Sequence, residues 1–469
     1  MGREKIEKFF DKYAKDRGRW LRRDKYYHNE IERLLWFLLG KEGSILEIGC
    51  GTGDTLKRFP NKERYGIDIS REMVEIASKN PGGIKFIKGS AEDFKMNKKV
   101  DFIFMIDTVN LLEDVQKSFE NLRKNCKPET RVIITFHNAL WEPILKLAEK
   151  VGLKMKMPLQ NWLGADDVEN LLELADFQVV KKGQRILIPE YIPLISTFFN
   201  KFISQLPLIR KLCLINYVVA RPRELRQKKE YTCSVIIPAR NEEGNIERAI
   251  KEMPRIVSDM EVIFVEGGST DNTYQEIKRV AKKYGNKWKI RYMKQGGKGK
   301  GDAVRKGYDA AKGDILMILD ADLTVPPKDL AKFYNAMKTD QGEFINGCRL
   351  VYPMDKEAMR TLNKIGNKFF GLMFTWLLDQ RFKDTLCGTK VIYKKDYEKL
   401  KRNRAYFGEF DPFGDFDLIF GASKMNLKIV EVPIRYKERT YGETNISRFR
   451  HGWILLKMCF FAMRKIKFF

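Results

Sequence analysis

The sequence predicts two α/β domains in tandem, each built on a mostly parallel sheet. Three observations predict this. Two segments each open with an apolar strand that runs into a glycine- or turn-rich loop: Ser44-Ile-Leu-Glu-Ile-Gly-Cys-Gly-Thr-Gly-Asp54 and Thr232-Cys-Ser-Val-Ile-Ile-Pro-Ala-Arg-Asn-Glu-Glu243. Behind each of them, strand patterns alternate with helical ones. Between them, residues 221–230 read Arg-Pro-Arg-Glu-Leu-Arg-Gln-Lys-Lys-Glu, a charged stretch without apolar periodicity. The domain boundary is expected there, giving domains at 1–225 and 231–469.

The chain has 469 residues, enough for two stable cores. Its 43% apolar content is ordinary, but its net charge of +26 is not. Such an excess points to an anionic partner: nucleic acid, an acidic membrane surface or a phosphorylated substrate. Seven scattered cysteines without a Cys-x-x-Cys argue against a disulfide framework or a zinc site and for a reducing cytosol. Three histidines are too few for a His-based metal centre. No transmembrane helix and no signal peptide are expected, so the protein should be cytosolic, or peripheral on the cytosolic membrane face.

In the first half, strand 45–48 leads into Gly49-Cys50-Gly51-Thr52-Gly53, and alternate glycines let a ligand approach the backbone. About twenty residues after that strand, Asp68 and Ile69 end a second strand, where an acid can grip ribose hydroxyls. These residues, with Gly89-Ser90-Ala91-Glu92-Asp93, strand 100–104 and Met105-Ile106-Asp107, resemble the class I S-adenosylmethionine-dependent methyltransferases. The resemblance implies a Rossmann-like fold in which Glu47, Gly49, Gly51 and Gly53 meet the cofactor's amino-acid end. Asp68 would bind its ribose, Ser90, Ala91 and Glu92 would flank its adenine, and Ile69 and Asp107 would also bind the cofactor. Tyr26-Tyr27-His28, Trp141 and Trp162 are candidate lids over a methyl acceptor. Segments 177–188 and 214–220 are read as the antiparallel pair that closes the fold. The connection between them, around 191–209, is too long and apolar for a hairpin turn. It should emerge on the active-site side, capping a lipid-like acceptor or touching a membrane.

In the second half, an apolar strand at 314–319 delivers Asp320-Ala321-Asp322. Two carboxylates this close repel unless a cation holds them, and Mg²⁺ or Mn²⁺ bridging a diphosphate is the usual answer. The motifs from residue 231 onward resemble the family-2 glycosyltransferases of the GT-A fold, especially the polyprenyl-phosphate sugar synthases. They include Val235-Ile-Ile-Pro238-Ala239-Arg240-Asn241-Glu242, Glu261 to Asp271 with Glu266, and Lys298-Gly-Lys300-Gly301-Asp302. Also matching are Asn346-Gly-Cys-Arg349, Asp384 to Gly388, Phe413-Gly-Asp415-Phe-Asp417, and Glu431 to Arg439. By that resemblance, Pro238 to Glu242, Glu266, Lys300, Gly301, Asp320, Ala321, Asp322, Arg349 and Arg439 bind the nucleotide sugar. Asp320 and Asp322 would hold the metal, and Asp322, Asp415 and Asp417 would serve catalysis. The sequence departs from the family at Glu266, at Thr324 where a subgroup has Gln, and at Asn445 where Lys is frequent.

Residues 448–469 carry six Lys/Arg and no acid among large aromatics, the pattern of a basic helix lying in a membrane interface. The combined expectation is a bifunctional enzyme. A sugar would pass, with inversion, from a GDP- or UDP-sugar to polyprenyl phosphate, coupled to S-adenosylmethionine-dependent methylation of acceptor or product. The alternatives are transfer to a glycan or glycolipid hydroxyl, or one silent domain acting as a docking module. Nucleic acid is not an expected partner.

Overall fold

A computed structural model describes the chain except for residues 1, 80, 159, 225–229, 352–360, 405–415, 440 and 442–447; for 361–365 and 448–451 it describes the backbone alone. Asp415 and Asn445 therefore lie outside the described residues, as does the side chain of Arg448. The chain separates into two compact units, residues 1–224 with 467–469, and residues 225–466.

The first unit opens with three helices, α1 (Arg3–Tyr13), α2 (Arg17–Arg23) and α3 (Lys25–Leu38). There follow β1 (Ile45–Ile48), β2 (Arg64–Asp68), α4 (Arg71–Lys79), β3 (Ile84–Lys88), β4 (Val100–Ile106), α5 (Val115–Arg123) and β5 (Cys126–His137). The unit is completed by α6 (Glu142–Lys150), α7 (Ala165–Leu174), β6 (Phe177–Arg185), α8 (Ile195–Lys201) and β7 (Ile215–Pro222). The strands order as β3-β2-β1-β4-β5-β7-β6, with β7 antiparallel to both neighbours and the rest parallel. The expected closing pair is thus present. Strand β1 reads Ile-Leu-Glu-Ile and is buried throughout, as a parallel strand covered on both faces must be. Helix α5 buries Val115, Phe119 and Leu122 on one stripe, and Asp114 caps it by accepting from the Lys117 N–H at 2.9 Å.

The second unit runs β8 (Cys233–Ala239), α9 (Glu243–Lys251), β9 (Met260–Glu266), α10 (Thr273–Tyr284), β10 (Lys289–Lys294), α11 (Lys300–Ala310), β11 (Ile315–Ile318) and α12 (Leu330–Lys338). It continues with β12 (Phe344–Cys348), α13 (Thr361–Leu378), β13 (Lys390–Tyr393), α14 (Lys394–Arg402), α15 (Phe416–Lys424), β14 (Ile429–Pro433) and α16 (Arg448–Ala462). The order is β10-β9-β8-β11-β13-β12-β14; β13 runs antiparallel to its neighbours β11 and β12. One core cluster packs Val235, Ile237, Val262, Phe264 and Met317 beneath α9 and α10.

Among the described residues no helix is long and apolar enough to cross a membrane. Helix α16 packs against α13, burying Leu455, Met458, Cys459 and Ala462 while Trp453 and Phe460 stay about three-fifths exposed. The tail is therefore docked on its own unit along one face and apolar on another. Its last three residues belong to the first unit, where Phe469 stacks on Phe37 with ring centres 4.0 Å apart.

Candidate active sites

In the first unit, the C-terminal ends of the parallel strands converge on a cavity of about 440 Å³. Glu47 comes up from β1, and burial holds its carboxyl well above the ordinary range, with Arg17 acting in the opposite direction. Its Oε2 has no hydrogen-bond partner. The loop after β1 turns through positive φ at Gly49 (75°) and Gly51 (52°), where a side chain would be strained. It would also collide. A Cβ on Gly49 would stand 2.4 Å from Thr108 Oγ1, and one on Gly51 2.6 Å from Arg17 Nε. Asp68, at the end of β2, accepts from the Gly51 N–H (2.7 Å) and the Ser70 N–H (2.9 Å), so it braces the loop.

At the cavity's far side, the Ser90 hydroxyl bonds to Glu92, which also accepts from the Glu113 N–H at 3.1 Å. Asp107 adopts φ 54° just beyond β4. It accepts from the Tyr27 hydroxyl and, at 3.2 Å, from Thr135 Oγ1, and His137 Nε2 lies 4.0 Å from it. Burial keeps His137 below its usual pKa, and burial with the Arg17 charge lowers His28 to about 4.

Of the residues expected at this site, Glu47, Gly49, Gly51, Asp68, Ile69, Ser90, Ala91, Glu92 and Asp107 line the cavity. Gly53 does not; a Cβ there would meet the Phe86 ring at 2.5 Å, so this glycine serves packing. Tyr27, His28 and Trp141 line the cavity, whereas Trp162 lies beside His137 and Tyr26 against Tyr191. The N-terminal helices contribute Arg3, Phe10, Tyr13, Arg17 and Trp20, none of which the motif pattern signalled. The one available clue was the run of aromatics and arginines ahead of the first strand.

In the second unit the turn after β8 places Asn241 at φ 56°, and Asn241 Oδ1 accepts from the Thr270 N–H at 2.8 Å. Ala239 O accepts from the Gly267 N–H at 2.9 Å, tying the Pro238–Glu242 loop to the loop that follows Glu266. Glu266 is buried and accepts from the Ser269 N–H. Glu242 is paired with Arg439, whose Nη2 lies 3.8 Å from Asp322 Oδ2. Asp322 Oδ1 accepts from the Thr324 N–H (3.1 Å) and Oγ1 (2.9 Å). Burial and then the Asp320 charge raise the Asp322 carboxyl. Lys300, at the start of α11, places its ammonium 2.6 Å from Asp320 Oδ1. Gly301 and Ala321 are buried beside them. Arg240 is exposed on its loop.

Glu242, Lys300, Asp320, Asp322 and Arg439 are thus brought together. Arg349 is engaged elsewhere: it forms a bidentate pair with the fully buried Asp384, at 2.7 and 2.8 Å, and lies under the Tyr436 ring. Asp417 sits at the first turn of α15, 3.5 Å from Arg404 Nε and 4.0 Å from Arg305 Nη1. Gly388 closes against the Asp320 cluster: a Cβ there would fall 1.9 Å from Asp320 Oδ2.

Comparison with known families finds a match in each half of the chain. The "Glycosyl transferase family 2" profile matches residues 234–405, and a "Methyltransferase domain" profile matches 19–182. The chain joins a methyltransferase domain to a family 2 glycosyltransferase domain. Among relatives, the low-salt glycan biosynthesis hexosyltransferase Agl6 of Haloferax volcanii is 27% identical over 47% of this chain and 51% of its own length. A dolichol-phosphate mannosyltransferase of Pyrococcus furiosus is 29% identical over 46% of this chain and 59% of its own length. The chain thus spans just over half of each of these relatives. An uncharacterised Methanocaldococcus jannaschii protein is 34% identical over 38% of this chain and 84% of its own length.

The methyltransferase site fits S-adenosylmethionine. An unpartnered buried carboxylate oxygen on Glu47 and a buried, unpartnered Nε on Arg17 flank the glycine loop. That is the complement of an α-amino acid's ammonium and carboxylate. Arg17 lies outside the family-matched stretch, as do Asp417 and Arg439 of the glycosyltransferase domain. At the glycosyltransferase site, Lys300 already places a cation on Asp320, and two adjacent carboxylates suit a hard divalent ion. Among the described residues no cluster of three or more ligating side chains exists, so diphosphate and water would complete such an ion's shell.

Proposed function

We propose that the glycosyltransferase domain transfers a sugar, with inversion, from a nucleotide diphosphate sugar to a polyprenyl phosphate at the cytosolic face of a membrane. We further propose that the methyltransferase domain methylates that acceptor or its product from S-adenosylmethionine. The observation that carries the reading is the joint Asp320/Lys300 and Asp322/Arg439/Glu242 cluster at the N-terminus of α11. A helix N-terminus with Lys300 and Arg439 suits a diphosphate. Asp320 and Asp322 would hold Mg²⁺ or Mn²⁺, which neutralises charge building on the leaving diphosphate. Arg439, held by Glu242, would turn to the phosphate oxygens when the donor binds. Glu266, at the end of β9, would read the nucleoside.

Arg305 and Arg404 beside Asp417 favour a phosphate acceptor over a sugar hydroxyl. Two guanidinium groups attract a phosphate that is already nucleophilic at neutral pH. A carboxylate flanked by them is better placed to orient an acceptor than to remove a proton. The name of the Pyrococcus relative supports the same choice.

The test is thermal stabilisation of the full chain by a panel of GDP- and UDP-sugars with and without Mn²⁺, followed by transfer of the labelled sugar to a short polyprenyl phosphate. Stabilisation that needs both Mn²⁺ and one nucleotide, and disappears in Asp320→Asn, supports the reading. A sugar delivered only to hydroxyl acceptors would move it to glycan transfer.

A further inference from the structure

The 191–212 connection of the methyltransferase domain is built inside out. Ser196, Asn200, Ser204 and Gln205 are its buried residues. They are fully bonded to backbone and to one another: Asn200 Oδ1 accepts from the Leu187 and Ile188 N–H groups, and the Ser196 hydroxyl donates to Glu190 O. The spacing of 196, 200 and 204 is helical, so one stripe turns polar groups inward. The opposite stripe turns Phe198 and Leu206 outward, while Phe202 is partly covered by the Phe468 ring, 5.2 Å away between centroids. At its start, Ile195 N–H donates to Pro193 O (2.7 Å) across Leu194, whose φ of 64° is strained for a branched residue. That turn leaves Leu194 85% exposed; Leu208 is 81% exposed.

A second apolar face adjoins it. Asn138 Nδ2 donates to Lys211 O (2.9 Å) and Trp141 Nε1 to Leu212 O (2.8 Å), joining the start of α6 to the end of the connection. Helix α6 and the turn after it expose Ile144, Leu147, Val151 and Leu153. Ile144 (54% exposed) and Leu153 (59%) also line the cavity, so they form its rim. Charge around this face is mostly basic, with the exposed Glu190 at its edge. Residues 191–213 hold Lys201, Arg210 and Lys211 and no acid. On 139–156, Glu142 and Glu149 are both neutralised by Lys146 and Lys154, leaving Lys150 and Lys156 in excess.

An apolar face of this size on a water-facing domain is costly unless something apolar covers it, and a basic margin selects an anionic cover. We propose that this face seats the methyltransferase domain on an anionic lipid leaflet, and that the methyl acceptor is a membrane-resident amphiphile entering past Ile144 and Leu153. Its polar head would reach Tyr27, Asp107 and His137, while its apolar part stays at the rim. The second half of this proposal rests on the methyltransferase reading; the seating does not.

The experiment uses the full chain with Leu208→Cys carrying an environment-sensitive NBD label; the seven native cysteines are buried. The expected result is blue-shifted emission and loss of iodide quenching on phosphatidylglycerol/phosphatidylcholine vesicles. Partitioning should be on the order of tenfold or more weaker on phosphatidylcholine alone, since each basic residue near an anionic surface adds to binding. A Leu194→Asp change, at a site too exposed to affect folding, should weaken this shielding while α16 is untouched. The proposal is overturned if the label stays quenchable on vesicles that carry the protein, if it is shielded before vesicles are added because protein covers the face, or if neutral vesicles shield it equally. Calorimetry with S-adenosylhomocysteine separates the two readings. No binding by the unmodified chain would remove the methyltransferase assignment and with it the acceptor half, and leave the seating to be judged by the label.

Discussion

Lys300 Nζ lies 2.6 Å from Asp320 Oδ1, so the first carboxylate of the Asp320-Ala321-Asp322 pair is neutralised by a cation of the chain itself. That ammonium competes with a divalent ion for the carboxylate and attracts the diphosphate that arrives with the ion. Lys300→Met should therefore raise affinity for free Mn²⁺ at least roughly tenfold, by removing a neighbouring positive charge. The same change should weaken binding of a nucleotide diphosphate. Calorimetric titration of Mn²⁺ alone and of nucleotide with Mn²⁺ reads the two opposite shifts.

Gly388 is kept free of a side chain by that same ion pair. A Cβ would stand 1.9 Å from Asp320 Oδ2 and 2.4 Å from Lys300 Nζ. Gly388→Ala should fold, because both neighbours are side-chain ends that can move. It should lose metal-dependent nucleotide stabilisation in a thermal-shift assay.

The buried Arg349–Asp384 pair makes a stability prediction. Burial would raise the Asp384 carboxyl, but the charge and hydrogen bonds of Arg349 outweigh it and bring it down to about 2, from an ordinary 3.8. A depressed carboxyl contributes stability that is fully present above the ordinary value and lost as pH falls through the depressed one. About 2 kcal/mol should disappear between roughly pH 4 and pH 2, read by denaturant unfolding across that range. Asp384→Asn leaves the Arg349 charge buried without its partner and should cost about 3–5 kcal/mol at neutral pH.

Glu47 and Arg17 predict a selective loss at the methyltransferase site. Glu47→Gln and Arg17→Met should each weaken S-adenosylhomocysteine by roughly 10–100-fold, the weight of a charged hydrogen bond. Neither should weaken 5′-methylthioadenosine, which lacks the amino-acid end. Equal losses for both ligands would mean that the two residues act only on packing.

Asp417→Asn tests the acceptor. With Arg305 and Arg404 still present, donor binding should be unchanged and turnover should fall by about tenfold or less, because a phosphate acceptor needs no base. A fall of about 10²–10⁴ with intact donor binding would point to base catalysis on a hydroxyl.

Local signals carried much of this in the linear sequence. The glycine loop at 49–53, Asp68 and the Asp320/Asp322 pair were legible because a strand, a turn and an acid at fixed spacing have few alternative uses. Nine of the ten residues expected around the methyl donor line the cavity. Gly53 could not be told apart, since a glycine that spares a ligand and one that spares Phe86 look alike in sequence. Arg349 was expected at phosphate, yet its guanidinium is bound by Asp384, thirty-five residues away in the chain. No pattern of spacing announces such a pair.

The sequence by itself determined the two α/β domains, their order, and the residue types gathered at each loop, because burial of apolar strands and turn chemistry are local effects. Only the tertiary structure decided which charges meet. Arg17 reaches the loop after β1 from a helix ahead of the sheet, and Arg439 reaches Glu242 from near the end of its unit. It also decided that the connection at 191–212 turns its serines and asparagine inward and Phe198 and Leu206 out. The physical reason is the same in each case: electrostatic and packing partners are chosen by distance in space, and the fold sets that distance independently of separation along the chain.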